Sequence, residues 1–486
     1  MPFKKTYHFL LFFSGVILLG ILLILNFIYP LTLGKTNILY SDFGKFYHSQ
    51  QLFIQGKNIY TPIYFVKNKL NSDSPTIQTK PTHSKLIKLG GNLNPPFFTL
   101  MSFPLAYLSY PHALVLWTSL SIIAGALGIL LLQQKLDRQT FSASSGLLLL
   151  IALFSYFPSF VSLQFGQVSL LLLPLLVLGW CAARDKKIIR AAILLGLASS
   201  LKPFIGLFLF YFLMRKEWRG LCAFLVTLLS CGLIAAFFLG LESYVAYYHA
   251  CQQIKWAASS WNVSFYGFLL RLGGGIESNV ALFAVPGLVI YLYPFVTGLF
   301  FLAIIRFLRP SVDMPTKLKV DLDFSVLIVG MLLLSPLGWI YYFPLLSIPM
   351  LILWQLAKKG VYPIALPLFL MACIFFSNIP ISLFDSAQIN TTNVLRIFLV
   401  SSLYFLVLIS LIGLIFWLRY RLTRNFELYS QQKSIHFERI PPALLLLIGI
   451  VVFLPSYRGI GKATVDWILH STHYSQQYST IAHHQD

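Results

Sequence analysis

The feature that most constrains this chain is a recurring apolar run about twenty residues long. Wound as an α-helix at about 1.5 Å per residue, such a run crosses the roughly 30 Å hydrocarbon layer of a bilayer. The first covers Phe9 to Tyr29, behind Lys4 and Lys5. It is longer than a signal-peptide core and lacks a small-residue cleavage site, so it reads as a retained helix with a cytoplasmic N-terminus. Further spans are read at Ala113–Leu132, Ser145–Leu163, Val168–Ala183, Leu221–Leu239, Ala281–Ile305, Tyr362–Ile379, Leu395–Leu418 and Ala443–Leu454. Only 10% of the 486 residues are charged and mean hydropathy is +0.77, whereas soluble chains carry about 25% charge. The expected fold class is an all-α polytopic membrane protein with about ten to twelve transmembrane helices.

Within that class the net charge of +21, from 36 Lys and Arg against 15 Asp and Glu, has a specific meaning. Basic residues hold loops on the cytoplasmic side and against anionic membrane lipids. With no soluble domain to carry a basic face, nucleic acid is excluded as a partner. Cys181, Cys222, Cys231 and Cys373 lie in apolar runs and Cys251 in a loop, with no CxxC spacing. Neither a disulfide framework nor a zinc site is expected, and the histidines gathered at His470, His473, His483 and His484 read as part of a polar tail.

Organisation follows from the spans. Residues 1–457 read as one transmembrane domain and 458–486 as a C-terminal tail. A first outer loop covers 31–93, with interfacial helices continuing to residue 110, and a second covers 241–280. The stretch Leu31 to Asn92 carries eight lysines against two aspartates, which long translocated loops tolerate. Ala191 to Met214 is broken at Lys202-Pro203 and flanked on both sides by basic clusters. Proline removes a backbone donor and disfavours helix at the residue before it. The segment therefore reads as two half-helices with both ends cytoplasmic, beside protein or a wet cavity. That topology puts Lys202 toward the cytoplasmic side. Phe324 to Leu356 reads as a second hairpin, its tip Ser335 to Tyr342 facing outward.

Four polar features converge on the outer half of the membrane: the loop around Asp42, Gln164 to Gln167, Asn262 to Arg271, and the Trp339–Tyr342 tip. Asp42 is a candidate general base that would draw a proton from an attacking hydroxyl; a capping or turn aspartate is the alternative. Tyr47 and Tyr60 are candidates to stack on a sugar, although interfacial tyrosines are common. Lys202 is a cation deep in an apolar stretch. Such charges face a partner or cavity, so it reads either as a phosphate ligand or as a side chain snorkelling to the interface. Arg271 offers a fork of donors to a phosphate oxygen, or is a surface arginine. Asn262-Val263-Ser264 fits the glycosylation sequon. No P-loop, GxGxxG, HExxH or GxSxG is present, and no paired DxD stands in a loop to hold a metal-bound nucleotide sugar.

Several short pieces occur in order along most of the chain. They are Ser41-Asp42-Phe43 with Gly56-Lys57-Asn58-Ile59-Tyr60, Asn94-Pro95-Pro96-Phe97 with Pro104-Leu105-Ala106, and Gly166-Gln167. Gly196-Leu197-Ala198 with Leu201-Lys202-Pro203, Asn262-Val263-Ser264 with Arg271, and Ser335-Pro336 with Trp339 complete the set. In these the chain resembles the GT-C membrane glycosyltransferases, specifically the polyprenyl-phosphate-mannose-dependent glycosyltransferase family 87.

The resemblance implies a lipid-linked sugar donor and a lipid or glycan acceptor. Transfer would be extracytoplasmic, inverting, and free of metal or other cofactor. It maps the catalytic base onto Asp42. Arg271, Lys202, Tyr341 and Tyr342 become the donor and phosphate set, and Tyr47, Tyr60, Asn94, Gln167, Asn262, Ser264 and Trp339 the substrate-binding set. Members of the family often carry a histidine pair after the Ser-Pro-x-x-Trp piece, where this sequence has Tyr341-Tyr342. A tyrosine can hydrogen-bond a phosphate but is neutral at pH 7, whereas a histidine could carry charge. The expected location is a bacterial cytoplasmic membrane. Two other classes compete. A lipid-linked saccharide flippase or transporter would show related halves and more intramembrane ionisable residues. An O-antigen polymerase or ligase would lean on arginines in the outer loops, and the first loop has none.

Overall fold

A computed structural model of the protein describes residues 12–27, 42–66, 86–89, 91–139, 141–252, 257–274, 282–283, 285–309, 314–380 and 394–430. The expected span Ala443–Leu454, the 458–486 tail with its histidines, and residues 31–41 and 67–85 of the first loop lie outside these.

The described residues are overwhelmingly helical. α1 (Phe12–Phe27) precedes α2 (Asp42–Ile54) and a small antiparallel hairpin of β1 (Ile63–Val66) and β2 (Leu86–Leu89), with Ile63 opposite Leu89. α3 (Pro96–Ser102) and a 3₁₀ turn, Phe103–Tyr107, occupy the stretch that the sequence reads as interfacial. Proline at the start of each suits a helical first turn, where the missing N–H has no partner to lose.

α4 (Tyr110–Leu136) is the first long span. α5 (Ala143–Ser155) and α6 (Phe157–Gln164) meet at a 62° bend, where Pro158 begins a new helix. α7 (Ser169–Arg184) and α8 (Ile188–Leu201) follow; a 3₁₀ turn at Pro203–Phe208 then leads into α9 (Leu209–Met214). α10 (Trp218–Leu239), α11 (Glu242–Gln252), α12 (Phe265–Gly273), α13 (Pro286–Leu308) and α14 (Thr316–Leu334) come next. A 3₁₀ segment at Ile340–Leu346, α15 (Ser347–Lys358), α16 (Ala365–Ser377), α17 (Val394–Ser401) and α18 (Leu403–Ser430) complete the described chain.

Five of these elements are long and apolar enough to cross a bilayer, or six if the bent α5–α6 pair is one span. This is a polytopic helical membrane protein. Only 11% of the apolar window of α13 is buried, against 78% for the span running from Ile340 through α15. α13 therefore faces lipid and α15 sits inside. α14 is buried continuously from Val320 to Leu333 and forms the centre of the bundle.

α14 begins earlier than the sequence suggests, taking Asp321 and Asp323 into the protein. Asp323 is fully buried, with Oδ2 accepting from Arg215 Nε at 2.8 Å and Oδ1 from Arg419 Nη1 at 2.8 Å. Asp321 Oδ1 lies 3.1 Å from Arg184 Nε and accepts from the Trp180 indole at 2.9 Å. An isolated buried charge costs several kcal/mol, so each carboxylate is matched by guanidinium from another helix.

The break at Lys202-Pro203 is present, but its depth differs from the sequence reading. The fourteen residues of α8 rise about 21 Å, most of the way through a hydrocarbon layer. Lys202 consequently lies at the far tip of the hairpin, within electrostatic reach of Asp42, and not toward the side from which the hairpin enters.

Candidate active site

Asp42 is the first residue of α2, and the position of that helix is set by a turn more than a hundred residues away. The backbone N–H of Phe43 donates to the Phe165 carbonyl at 3.0 Å. The next residue, Gly166, has φ +66°, a conformation that glycine adopts without steric cost. A Cβ there would stand 2.5 Å from Phe43 Cβ. The Trp117 indole fixes the same turn by donating to the Gly166 carbonyl at 2.8 Å, and its ring lies 5.5 Å from that of Phe43. Close approach of two backbones, possible only at a glycine, thus carries Gln167 to Asp42.

Gly166→Ala would force both a left-handed alanine and a displaced α2. A left-handed non-glycine residue costs about 1–3 kcal/mol, and a misplacement near 1 Å can cost about a hundredfold in rate. The expected result is a folded variant whose turnover per folded molecule falls by about tenfold to a hundredfold, measured on detergent-purified protein.

The Asp42 carboxylate accepts from Lys45 Nζ on Oδ1 at 2.8 Å and from Gln167 Nε2 on Oδ2 at 2.5 Å. Its side chain keeps 22% exposure, so it is not sealed off. Burial pushes the carboxyl up, but the Lys45 charge and hydrogen bond, the Gln167 hydrogen bond and the Lys202 charge outweigh it. The net effect holds the group below its ordinary 3.8. A carboxylate has about four lone-pair sites; one donor on each oxygen leaves room for a further hydroxyl.

Lys202, only 8% exposed, acts on this group electrostatically, and its ammonium lies 5.4 Å from the centre of the Tyr342 ring. Tyr342 packs on Phe204 at 4.7 Å and on Tyr341 at 4.9 Å, and Tyr341 lies 6.1 Å from Trp339. Asp42, Gln167, Lys202, Tyr341, Tyr342 and Trp339 therefore share one neighbourhood. Lys45 belongs with them and was not singled out from the sequence, although its i,i+3 spacing from Asp42 on a helix was legible.

The other expected residues are placed differently. The Tyr47 hydroxyl donates to the Leu108 carbonyl at 2.8 Å and the Tyr60 hydroxyl to the Asn94 carbonyl at 2.7 Å, so both tie α2 and its following loop to the stretch around α3. Asn94 is buried with its amide nitrogen and oxygen both unpartnered among the described residues.

Asn262 is wholly buried. Its amide donates to the carbonyls of Ala257 and Pro336, both at 2.9 Å, and its oxygen accepts from the N–H of Ser264 at 3.2 Å and of Gly338 at 3.1 Å. Val263 N–H donates to the Gly338 carbonyl at 2.7 Å and Ile340 N–H to Trp261 at 3.1 Å. Asn262 thus clamps the second loop to the Trp339 tip. Ser264 caps α12, its hydroxyl accepting from Gly267 N–H at 3.1 Å.

Arg271, 4% exposed, donates through Nη1 to the carbonyls of Ser259 at 2.8 Å and Asn262 at 2.9 Å, and through Nε to Ser402 Oγ at 3.1 Å. Among the described residues only its Nη2 has no partner. Arg271 thereby holds the backbone of the same loop, through the carbonyls of Ser259 and Asn262.

The family model for glycosyltransferase family 87 matches residues 92–336, half of the chain. Asn94, Gln167, Lys202, Asn262, Ser264 and Arg271 lie inside the matched stretch; Asp42 precedes it and Trp339, Tyr341 and Tyr342 follow it. No curated protein matches the chain.

Proposed function

Because the chain belongs to glycosyltransferase family 87, we propose that it transfers a hexose, mannose by the family resemblance, from a polyprenyl-phosphate donor to a hydroxyl of a lipid or glycan acceptor. The observation that carries this reading is Asp42, kept ionised by Lys45 and Gln167 with the Lys202 ammonium close by. In the proposed step the acceptor oxygen attacks the anomeric carbon and its proton passes to the Asp42 carboxylate. The bond from that carbon to the phosphate oxygen breaks with inversion, and its electron pair leaves with the polyprenyl phosphate. Lys202 is suited to meet the developing negative charge, since a fixed cation in a water-poor site stabilises it without reorganisation. Tyr341, Tyr342 and Trp339 supply the aromatic wall on which a sugar face would rest. The orientation proposed places Asp42 on the extracytoplasmic side of a bacterial cytoplasmic membrane and the two ends of the α8–α9 hairpin on the cytoplasmic side.

The reading is tested with purified protein offered a labelled sugar on polyprenyl phosphate and, separately, on a nucleotide. Transfer from the lipid donor alone supports it. Transfer from the nucleotide sugar alone, or vectorial movement of the lipid-linked sugar without a new glycosidic bond, overturns it.

A pH dependence follows from the depressed Asp42 carboxyl. Its ionised form persists as pH falls, so the acid limb of kcat/KM is expected below the ordinary 3.8. Lys45→Gln should move that limb upward, as the Lys45 charge and hydrogen bond are removed. Stability runs the same way: the contribution of this group is present above its unfolded value and is lost as pH falls through the depressed folded one.

A further inference from the structure

At the end of the bundle away from Asp42 lies an open cleft lined largely by cations. α4 begins at Tyr110, whose ring is 5.8 Å from that of Phe43, and runs for 27 residues, so its last turn lies about 40 Å from the Asp42 neighbourhood. There the ends of α4, α7 and α15 and the first turn of α14 enclose an open cleft of about 850 Å³. Five cations line it: Lys135, Arg138, Arg184, Lys317 and Lys359. Only two carboxylates, Asp137 and Asp185, stand among them.

The ion pairs show which of these charges are already answered. Lys135 Nζ lies 2.7 Å from Asp185 Oδ2, and Arg184 Nε lies 3.1 Å from Asp321 Oδ1. Asp137 is taken by Lys358, at 2.5 Å. Arg138, Lys317 and Lys359 are left without a carboxylate at ion-pair distance among the described residues. Basic residues are ordinary at membrane boundaries. Three cations outside any direct ion pair, brought by the ends of α4 and α15 and the first turn of α14 to one concave space, are a different matter. Low-dielectric walls focus the positive field of these charges into the cleft, which raises the local concentration of anions.

We propose that this cleft binds a phosphate-bearing headgroup, carried by an anionic phospholipid of the adjacent leaflet or by a soluble phosphate. Arg138 would present its planar fork to two phosphate oxygens, and Lys317 and Lys359 would neutralise the remaining charge. Leu131 and Leu136 on the α4 wall offer apolar surface to whatever adjoins the phosphate. The site is independent of sugar transfer, and its failure would leave the reading of Asp42 untouched.

The test uses the full-length protein in phosphatidylcholine nanodiscs, with phosphatidylglycerol and inorganic pyrophosphate as separate probes. Arg138→Gln/Lys317→Gln/Lys359→Gln, which touches none of the Asp42 neighbourhood, is compared with the wild type. Each cation near an anionic surface contributes roughly a factor of five to ten, so the triple variant should bind the preferred probe about a hundredfold more weakly. Selective loss of phosphatidylglycerol assigns the site to lipid, and selective loss of pyrophosphate assigns it to a soluble phosphate. Equal binding of both probes by the two proteins overturns the proposal. Should the triple variant fail to insert, wild-type protein is labelled with a photoreactive phosphatidylglycerol and with a photoreactive pyrophosphate analogue. Labelling of residues 131–139 or 355–359 by either supports the site, and labelling confined elsewhere by both overturns it.

Discussion

Asp42→Asn is expected to lower the turnover of sugar transfer by about 10²–10⁴-fold, the usual worth of a positioned general base, with expression and membrane insertion unchanged. The amide preserves the size of the side chain and can still meet Gln167 with one of its polar atoms. It cannot take a proton from an acceptor hydroxyl, and it leaves the Lys45 ammonium without its 2.8 Å anionic partner. The loss should fall on kcat more than on KM, because the interaction removed is one made as the bond forms. Raising the pH should not restore it. Retention of wild-type turnover by the purified variant would remove Asp42 from the reaction.

The largest effect on stability is expected near the start of α14. Asp323→Asn removes the single charge that holds Arg215 and Arg419 together in a site with no solvent exposure at the carboxylate. The two guanidinium groups, one packed over Tyr211 and one over Phe307, would then face one another unneutralised. Breaking a buried ion network from one side costs about 3–5 kcal/mol. The variant should lose folded, monodisperse protein at temperatures that the wild type withstands in the same detergent. A thermal transition within about 1 kcal/mol of wild type would show that the helices carry this junction without the carboxylate.

The membrane fold was readable because its signal is local and repeated. The apolar runs that became α4, α7, α10 and α13 differ from their predicted bounds by a few residues at most ends, as helix ends generally do. The kink at Pro203 was legible for the same reason, since proline acts on its own backbone. Depth was not legible: the basic clusters flanking the hairpin locate its ends, and only the length of α8 says where the tip goes. Asp321 and Asp323 carry no local signal of burial, because their partners stand far away in sequence, Arg215 being 108 positions before Asp323 and Arg419 being 96 after it.

The candidate site divides along the same line. Lys45 is three residues from Asp42 and helix geometry alone pairs them. The reach of Gln167 across 125 positions to Asp42 depends on the Gly166 turn meeting Phe43, a tertiary fact with no local trace. Polarity drew Asn262 and Arg271 to notice, but it cannot separate a side chain that touches a ligand from one that ties loops together. The bonds from Asn262 to Pro336 and Gly338, and from Arg271 to Ser259, show that both side chains tie loops together.

One consequence of the α8–α9 hairpin concerns how evolution or engineering can retune this site. The Lys202 ammonium is delivered at the tip of a hairpin whose first arm is the fourteen residues of α8, so its placement near Asp42 is dictated by a residue count and not by local contacts alone. Inserting a single residue into α8 would turn the amine by about 100° and carry it about 1.5 Å further, with no change to any loop on the Asp42 side. Length variation in Ile188–Leu201 is thus a dial on the chemistry at a distance.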